Sequence, residues 1–337
     1  MEKPDLSHSF RDYLDALYAE RARAWAFQGR SSADLRRWQE ATRPKLVALL
    51  GGEATPRVAL NLRRILVEET PVYRRERLYY DTRPGLTATA QLLLPKGAAG
   101  RVPAVLCPPG HGGGMNQVME EQGIYKRYPF ALAQRGLAAL VPEHIGFGER
   151  TGPPGGDSRA NHALFYHALT LLGENAMGYL VWDLRRALDV LQSLPEVDGE
   201  RLGCYGLSLG GEMTLLLMAC DTRVRAAGIS GFLTSYRSTF LDQSHCGCGY
   251  AFRLGACLEH QDIAALFAPR PLVVESGTKD PGFPVAAARE SAAYLRTLYA
   301  LAGAEERIAH DVFEGAHEIS GALAFDFLAR SLKRPLE

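Results

Sequence analysis

The sequence predicts an α/β protein: a mostly parallel, eight-stranded sheet with helices on both faces. Three observations predict it. Short apolar runs recur at 76–80, 87–94, 103–107, 136–141, 201–205, 224–229, 271–275 and 308–313, and most of the later ones are separated by helix-length segments. The first two alternate apolar and polar residues around the turn Arg83-Pro84-Gly85, as an antiparallel pair would. The later ones are short and apolar, which suits strands buried on both faces. Ligands of such sheets bind outside the carboxyl ends of the strands, so the residues just after each run are where chemistry is expected.

The segment before the sheet reads differently. Residues 1–70 look like a helical N-terminal extension, with Phe10, Tyr13, Leu14, Leu17 and Tyr18 forming one apolar stripe. A second helix is expected over 32–50, capped by Ser31 or Ser32 and ended by Gly51-Gly52. The main domain is 71–337. Its long connections, about 151–180 and 231–266, carry few strand signals, and insertions of that kind usually shape a pocket or its cover. Phe147, Phe232, Tyr236, Phe240 and Tyr250 are the aromatic candidates for lining it.

Composition narrows the function class. A chain of 337 residues that is 47% apolar can build a core of domain size. Basic and acidic residues number 38 each, so neither a nucleic acid nor a strongly anionic surface is expected as the main partner. No apolar run approaches the ~20 residues that cross a membrane. The opening residues Met1-Glu2-Lys3-Pro4-Asp5-Leu6 lack the apolar centre of a secretion signal, so the expected location is the cytoplasm. A homo-oligomer stays open. Of six cysteines, three sit in apolar runs and read as small hydrophobes. Cys246-Gly247-Cys248 lacks the C-x-x-C spacing of zinc and redox sites. His245 beside it would allow a metal, but the reading taken is a structural loop, and no metal or cofactor is expected.

The chemistry concentrates in Gly206-Leu207-Ser208-Leu209-Gly210, between a strand-like run and an apolar helix. This is the G-x-S-x-G pattern of a strand-turn-helix nucleophile elbow, in which the two glycines remove collisions across a sharp turn. Alone it also fits a plain glycine-rich turn. A serine hydroxyl needs a base, and the expected chain order is nucleophile, acid, histidine. Asp280 follows the 271–275 run and His317 follows the 308–313 run. Glu275 and Glu318 are rival acids, but Glu275 should lie inside its strand. The roles are then Ser208 as nucleophile, His317 as general base and acid, and Asp280 as the group that orients the imidazole. Oxyanion donors are expected from the backbone N–H of Leu209 and from the loop Gly110-His111-Gly112-Gly113-Gly114, at His111 and Gly112.

These motifs, with Gly146-Phe147-Gly148-Glu149-Arg150, Trp182-Asp183, Ala268-Pro269-Arg270-Pro271 and Gly315-Ala316-His317, resemble the α/β-hydrolase superfamily from about Arg74 to the C-terminus. The likeness is to dienelactone-hydrolase-like and acetyl-xylan-esterase-like bacterial serine esterases. It implies the α/β-hydrolase fold, the same triad and a carboxylic-ester substrate, with small acyl esters and acetylated carbohydrates as candidates. It also directs attention to Glu143 and His144 as substrate contacts. The chain departs from dienelactone hydrolases in having serine, not cysteine, as nucleophile, and from many relatives in reading Glu143-His144-Ile145-Gly146 in place of Asp-x-x-Gly. A peptidase or amidase with the same triad is the second enzymatic reading, although some 70 N-terminal residues cannot build the propeller that oligopeptidases of this superfamily carry. A non-catalytic binding module is the reading from another class.

Overall fold

The computed structural model describes residues 9–21, 23–52, 57–152 and 158–333. The opening hexapeptide and residues 153–157 of the first insertion lie outside the described residues. Nine strands form one sheet: β1 Arg63–Glu69, β2 Tyr73–Arg83, β3 Leu86–Pro95, β4 Val102–Leu106, β5 Ala138–Pro142, β6 Val197–Leu207, β7 Val224–Ser230, β8 Leu272–Gly277 and β9 Ile308–Phe313. Their order is β1-β2-β3-β5-β4-β6-β7-β8-β9. β1 to β3 and the β3–β5 pair are antiparallel, and every pairing from β5 through β4 to β9 is parallel.

The strand missing from the sequence reading is β1, which places a strand inside the supposedly helical first 70 residues. It is an edge strand whose Ile65, Leu66 and Val67 are half exposed, and its register shifts between Leu66 and Glu68. Three consecutive apolar residues between charges show no period of two, so the pattern was not legible as a strand. Its anchor is electrostatic: Arg64 sits between Glu76, 2.6 Å away, and Glu196, 2.8 Å away. Two helices precede it among the described residues. The helix Phe10–Arg21 leaves Phe10 and Tyr13 exposed, while Tyr18 packs on the core. The helix Ser32–Leu49 starts at a capping box in which Ser31 and Asp34 each accept the other's backbone N–H, and it ends at Gly51 and Gly52, both with positive φ.

Alternate residues of the central strands feed two separate cores. Ala104 and Leu106 of β4 and Ala138 and Leu140 of β5 face one layer of helices; Val105, Cys107, Ala139 and Val141 face the other. The helix Leu209–Cys220 is buried along its whole length, which its nearly unbroken apolar sequence allows. Because β4 and β5 exchange places in the order, the connections leaving β4 and β6 run to opposite sides of the sheet. Their carboxyl ends form the topological switch point where a ligand crevice is expected. Above those ends the insertions supply the helix Ser158–Leu171 and, after β7, a π-helical turn Arg237–Leu241 and short helices Leu254–Cys257 and His260–Ala265. No helix among the described residues is long and apolar enough to cross a membrane.

Candidate active site

β6 runs into the helix Leu209–Cys220 with only Ser208 between them. Ser208 has φ 62° and ψ −126°, a strained conformation for a residue with a side chain. Two hydrogen bonds hold it: its N–H donates to Ser230 O at 3.1 Å, and its carbonyl accepts the Glu212 N–H at 2.9 Å. A Cβ on Gly206 would lie 2.5 Å from the Gly210 backbone, and one on Gly210 would lie 2.2 Å from Pro108 O. The glycines therefore admit both the turn and the loop that presses on it. Leu209 is the first residue of the helix, so its N–H is one of those left without an intrahelical acceptor.

Asp280 and His317 leave neighbouring strands, β8 and β9, at the same end. Asp280 Oδ1 accepts the N–H of Gly282 at 2.9 Å and of Phe283 at 3.1 Å, and Oδ2 lies 2.7 Å from His317 Nδ1. The Asp280 carboxylate is 1% exposed and the His317 side chain 27%, so the acid is shielded while the imidazole can meet a substrate. Phe283 stacks on the imidazole at 5.1 Å with the planes 16° apart. A Cβ on Gly231 would stand 3.1 Å from His317 Nδ1 and 2.9 Å from Leu207 Cδ1. The ring thus lies across the ends of β6 and β7, next to the residue whose carbonyl holds the Ser208 N–H. The rival acids are committed elsewhere: Glu275 accepts the Tyr205 hydroxyl at 2.6 Å and the Gly321 N–H at 2.8 Å, and Glu318 pairs with Lys126 at 2.9 Å.

The loop after β4 closes the third side. The Gly110 N–H donates to the Tyr125 hydroxyl at 2.9 Å, and a Cβ there would come 3.3 Å from Ser208 Cβ. His111 and Gly112 follow on the exposed crest. A cavity of about 290 Å³ is lined by Ser208 and Leu209 together with His111, Phe232, Phe240 and Phe283.

Residues 11–240 match the Abhydrolase family. The chain belongs to that family. The matched stretch includes Ser208 and stops short of Asp280 and His317. Across 79% of this chain and 90% of the relative, it is 28% identical to "Putative hydrolase YtaP" of Bacillus subtilis (strain 168). Two solved structures share the fold. A "putative acetyl xylan esterase" from Bacteroides fragilis superposes with a TM-score of 0.76 at 20% identity, covering 94% of this chain and 84% of that one. A glucuronoyl esterase from Solibacter usitatus does so at 0.63 and 16% identity, covering 90% and 94%.

Not every residue expected at the site of this Abhydrolase member reaches it. Glu143 and His144 are 1% exposed and lie behind the loop after β4, not among the residues that line the cavity. Glu143 accepts the Met115 N–H at 3.0 Å, and His144 Nε2 lies 3.1 Å from Pro109 O. They brace the loop that faces Ser208. Burial pushes the Glu143 carboxyl up to about 7 and the His144 imidazole down to about 4. Phe147 is buried against His162 at 4.3 Å and edges His111 at 5.2 Å. Tyr236 lines a neighbouring cavity with Tyr18 and shares only Phe240 and Gly249 with the one at Ser208. Two family segments named from the sequence meet in a buried ion pair, Arg150 to Asp183 at 2.7 Å.

The structure also adds residues. Phe283 lies three positions past Asp280, and its spacing from the acid was the available signal. Glu212 faces the cavity from the first turn of the helix after Ser208, and burial raises its carboxyl well above the usual range. His245 does not join Cys246 and Cys248; its ring sits between Phe240 and Phe283, 5.4 Å from each. Burial first, then the nearby His317, lowers its imidazole. The residues that do meet the two sulfurs are His111 and His162, and the ligating atoms of all four lie within 4.8 Å of one another.

Proposed function

We propose that the protein is a serine carboxylic-ester hydrolase that acts on small acyl esters, acetylated carbohydrates among them, through an acyl-enzyme. The observation that carries the reading is the union of a strained Ser208 at the cavity wall with the Asp280–His317 pair, 2.7 Å apart with its acid buried, at the same end of the sheet. The fold neighbour named as an acetyl xylan esterase supports an acetyl ester of a carbohydrate alcohol; the one named as a glucuronoyl esterase supports ester hydrolysis in general, since its name puts the sugar on the acyl side.

In this mechanism Asp280 accepts the Nδ1–H of His317 and so leaves Nε2 as the basic nitrogen. Nε2 takes the Ser208 proton as Oγ attacks the acyl carbonyl. The carbonyl oxygen, now carrying the negative charge, is received by the Leu209 N–H and by backbone N–H groups of the loop at His111 and Gly112, each such donor contributing about 3 kcal/mol in comparable enzymes. Collapse breaks the bond to the alkoxy oxygen, which leaves with the proton from Nε2. Water then repeats the sequence on the acyl-serine and frees the acid. The strain at Ser208 keeps Oγ raised from the sheet, where neither its own helix nor β7 can take it as a partner.

The test is hydrolysis of para-nitrophenyl acetate and of acetylated xylo-oligosaccharides by the wild type, beside Ser208→Ala. Serine-dependent turnover of both supports the reading. Turnover of neither, or turnover that survives in Ser208→Ala, rejects it.

A further inference from the structure

Three chain segments far apart in sequence bring two imidazoles and two thiols to one point beside the catalytic cavity. His111 stands on the loop after β4, His162 on the helix Ser158–Leu171, and Cys246 and Cys248 on the insertion after β7. Their ligating atoms all lie within 4.8 Å of one another, and Cys246 Sγ is 3.3 Å from His162 Nε2. We propose that these four residues bind one zinc ion, which fastens both insertions to the loop that faces Ser208.

The donor set decides the class of ligand. Two thiols and two imidazoles suit Zn²⁺ and other borderline-soft cations, not Mg²⁺ or Ca²⁺, which take oxygen ligands. Four protein ligands close a tetrahedral shell, which is the pattern of structural sites; catalytic sites keep a position open. Zn–S of about 2.3 Å and Zn–N of about 2.0–2.1 Å put donor atoms roughly 3.3–3.8 Å apart in a tetrahedron. Closing from a 4.8 Å limit asks at most about 1.0–1.5 Å of any pair, within reach of side-chain rotation.

The surroundings are built for this approach. Gly247 separates the cysteines, and a Cβ there would lie 2.5 Å from the Tyr166 ring, so glycine lets both sulfurs turn to the same side beneath that ring. Gly146, at φ +87°, does the same for His162, whose Nδ1 would be 2.8 Å from a Cβ. His162 is 6% exposed, and its Nδ1 has no hydrogen-bond partner among the described residues. A metal binds cysteine as the thiolate, so binding releases the thiol protons to solvent and leaves two thiolates balancing the dication. His111, Cys246 and Cys248 line the cavity, which gives the ion a route in.

The C-x-C spacing fits neither common zinc signature, because only the two cysteines share a segment, one residue apart, and the two histidines come singly from separate elements. The site is also distinct from the triad. Ser208, Asp280 and His317 are not among its ligands, so the proposed esterase activity and this site stand or fall separately.

Zinc content measured by mass spectrometry, on protein purified without chelator and after incubation with Zn²⁺ and desalting, should read about one per chain. It should fall to background in the Cys246→Ser/Cys248→Ser double variant and in His162→Gln. Cobalt alone, added to chelator-stripped wild type, should give a thiolate-to-metal absorption band, and zinc should protect two thiols from a thiol-reactive dye while magnesium does not. The last two readings use only the wild type, so poor folding of a variant does not shield the idea. No retained zinc and no cobalt–thiolate band in the wild type would overturn it. So would zinc held equally by the double variant, or the two cysteines joined in a disulfide in freshly purified protein.

Discussion

Asp280 Oδ2 lies 2.7 Å from His317 Nδ1, and the other carboxylate oxygen is fixed by two backbone N–H groups of its own turn. The carboxylate therefore cannot rotate away without breaking three interactions. Asp280→Asn should leave the fold intact and reduce kcat by about 10⁴, the loss seen when the corresponding acid is changed in a well-studied triad. Steady-state kinetics beside Glu275→Gln and Glu318→Gln check it. Near-normal turnover in Asp280→Asn, with one of the glutamate variants dead, moves the orienting acid elsewhere.

Ser208→Ala should abolish ester hydrolysis without unfolding the protein, since only the hydroxyl is removed. A fluorophosphonate probe should label the wild type at Ser208, and peptide mass spectrometry should find no label in the variant. A label on another serine disproves the elbow assignment.

Gly231→Ala tests the seat of the imidazole. The new methyl group would stand 3.1 Å from His317 and 2.9 Å from Leu207 Cδ1, at a residue with φ +52°. The ring must shift by some tenths of an ångström, and displacements of about 1 Å in a reacting group cost on the order of 10²-fold. We expect kcat to fall 10- to 100-fold with a smaller change in KM, alongside a stability loss of about 1–2 kcal/mol. Unchanged kcat would mean that the ring position does not limit the rate.

How far the sequence could be read follows from how local each signal is. Ser208, Asp280 and His317 each follow a strand, and the glycines around Ser208 form a pattern only five residues long. β1 escaped because three apolar residues at a sheet edge carry no alternation. Its partner Glu196 is far away in the chain. Glu143 and His144 were read as substrate contacts from their place after β5, yet whether a strand-end side chain points into the cavity or behind the next loop depends on packing. The glycines at 114 and 148 admit the Glu143 carboxylate from either side, each with a Cβ position within 2.2 Å of it. The His111, His162, Cys246 and Cys248 cluster was least legible. Only Cys246 and Cys248 are close in sequence, and the neighbour that suggested a metal, His245, turns toward the aromatics instead.

Glu143 supplies a prediction with a definite sign. Burial raises its carboxyl from 4.5 to about 7. The folded state then holds the proton to a higher pH than the unfolded chain does. Between about 4.5 and 7 the unfolded chain binds fewer protons, so this group's contribution to stability falls as pH rises, and it levels off above 7. The span of roughly 2.5 pKa units corresponds to about 3 kcal/mol. Glu143→Gln keeps an oxygen for the Met115 N–H and removes the charge. Its stability relative to the wild type should therefore improve by a few kcal/mol between pH 5 and pH 8, read as the difference in urea midpoints at the two values. His144, whose imidazole is pushed down to about 4, shifts stability in the opposite direction with pH, but it is present in both proteins and cancels in the comparison. A constant packing penalty from the amide cancels in the same way. If the difference between the two proteins is the same at pH 5 and pH 8, Glu143 is ionised in the fold at both. The loop facing Ser208 is then braced by a charge and not by a neutral acid.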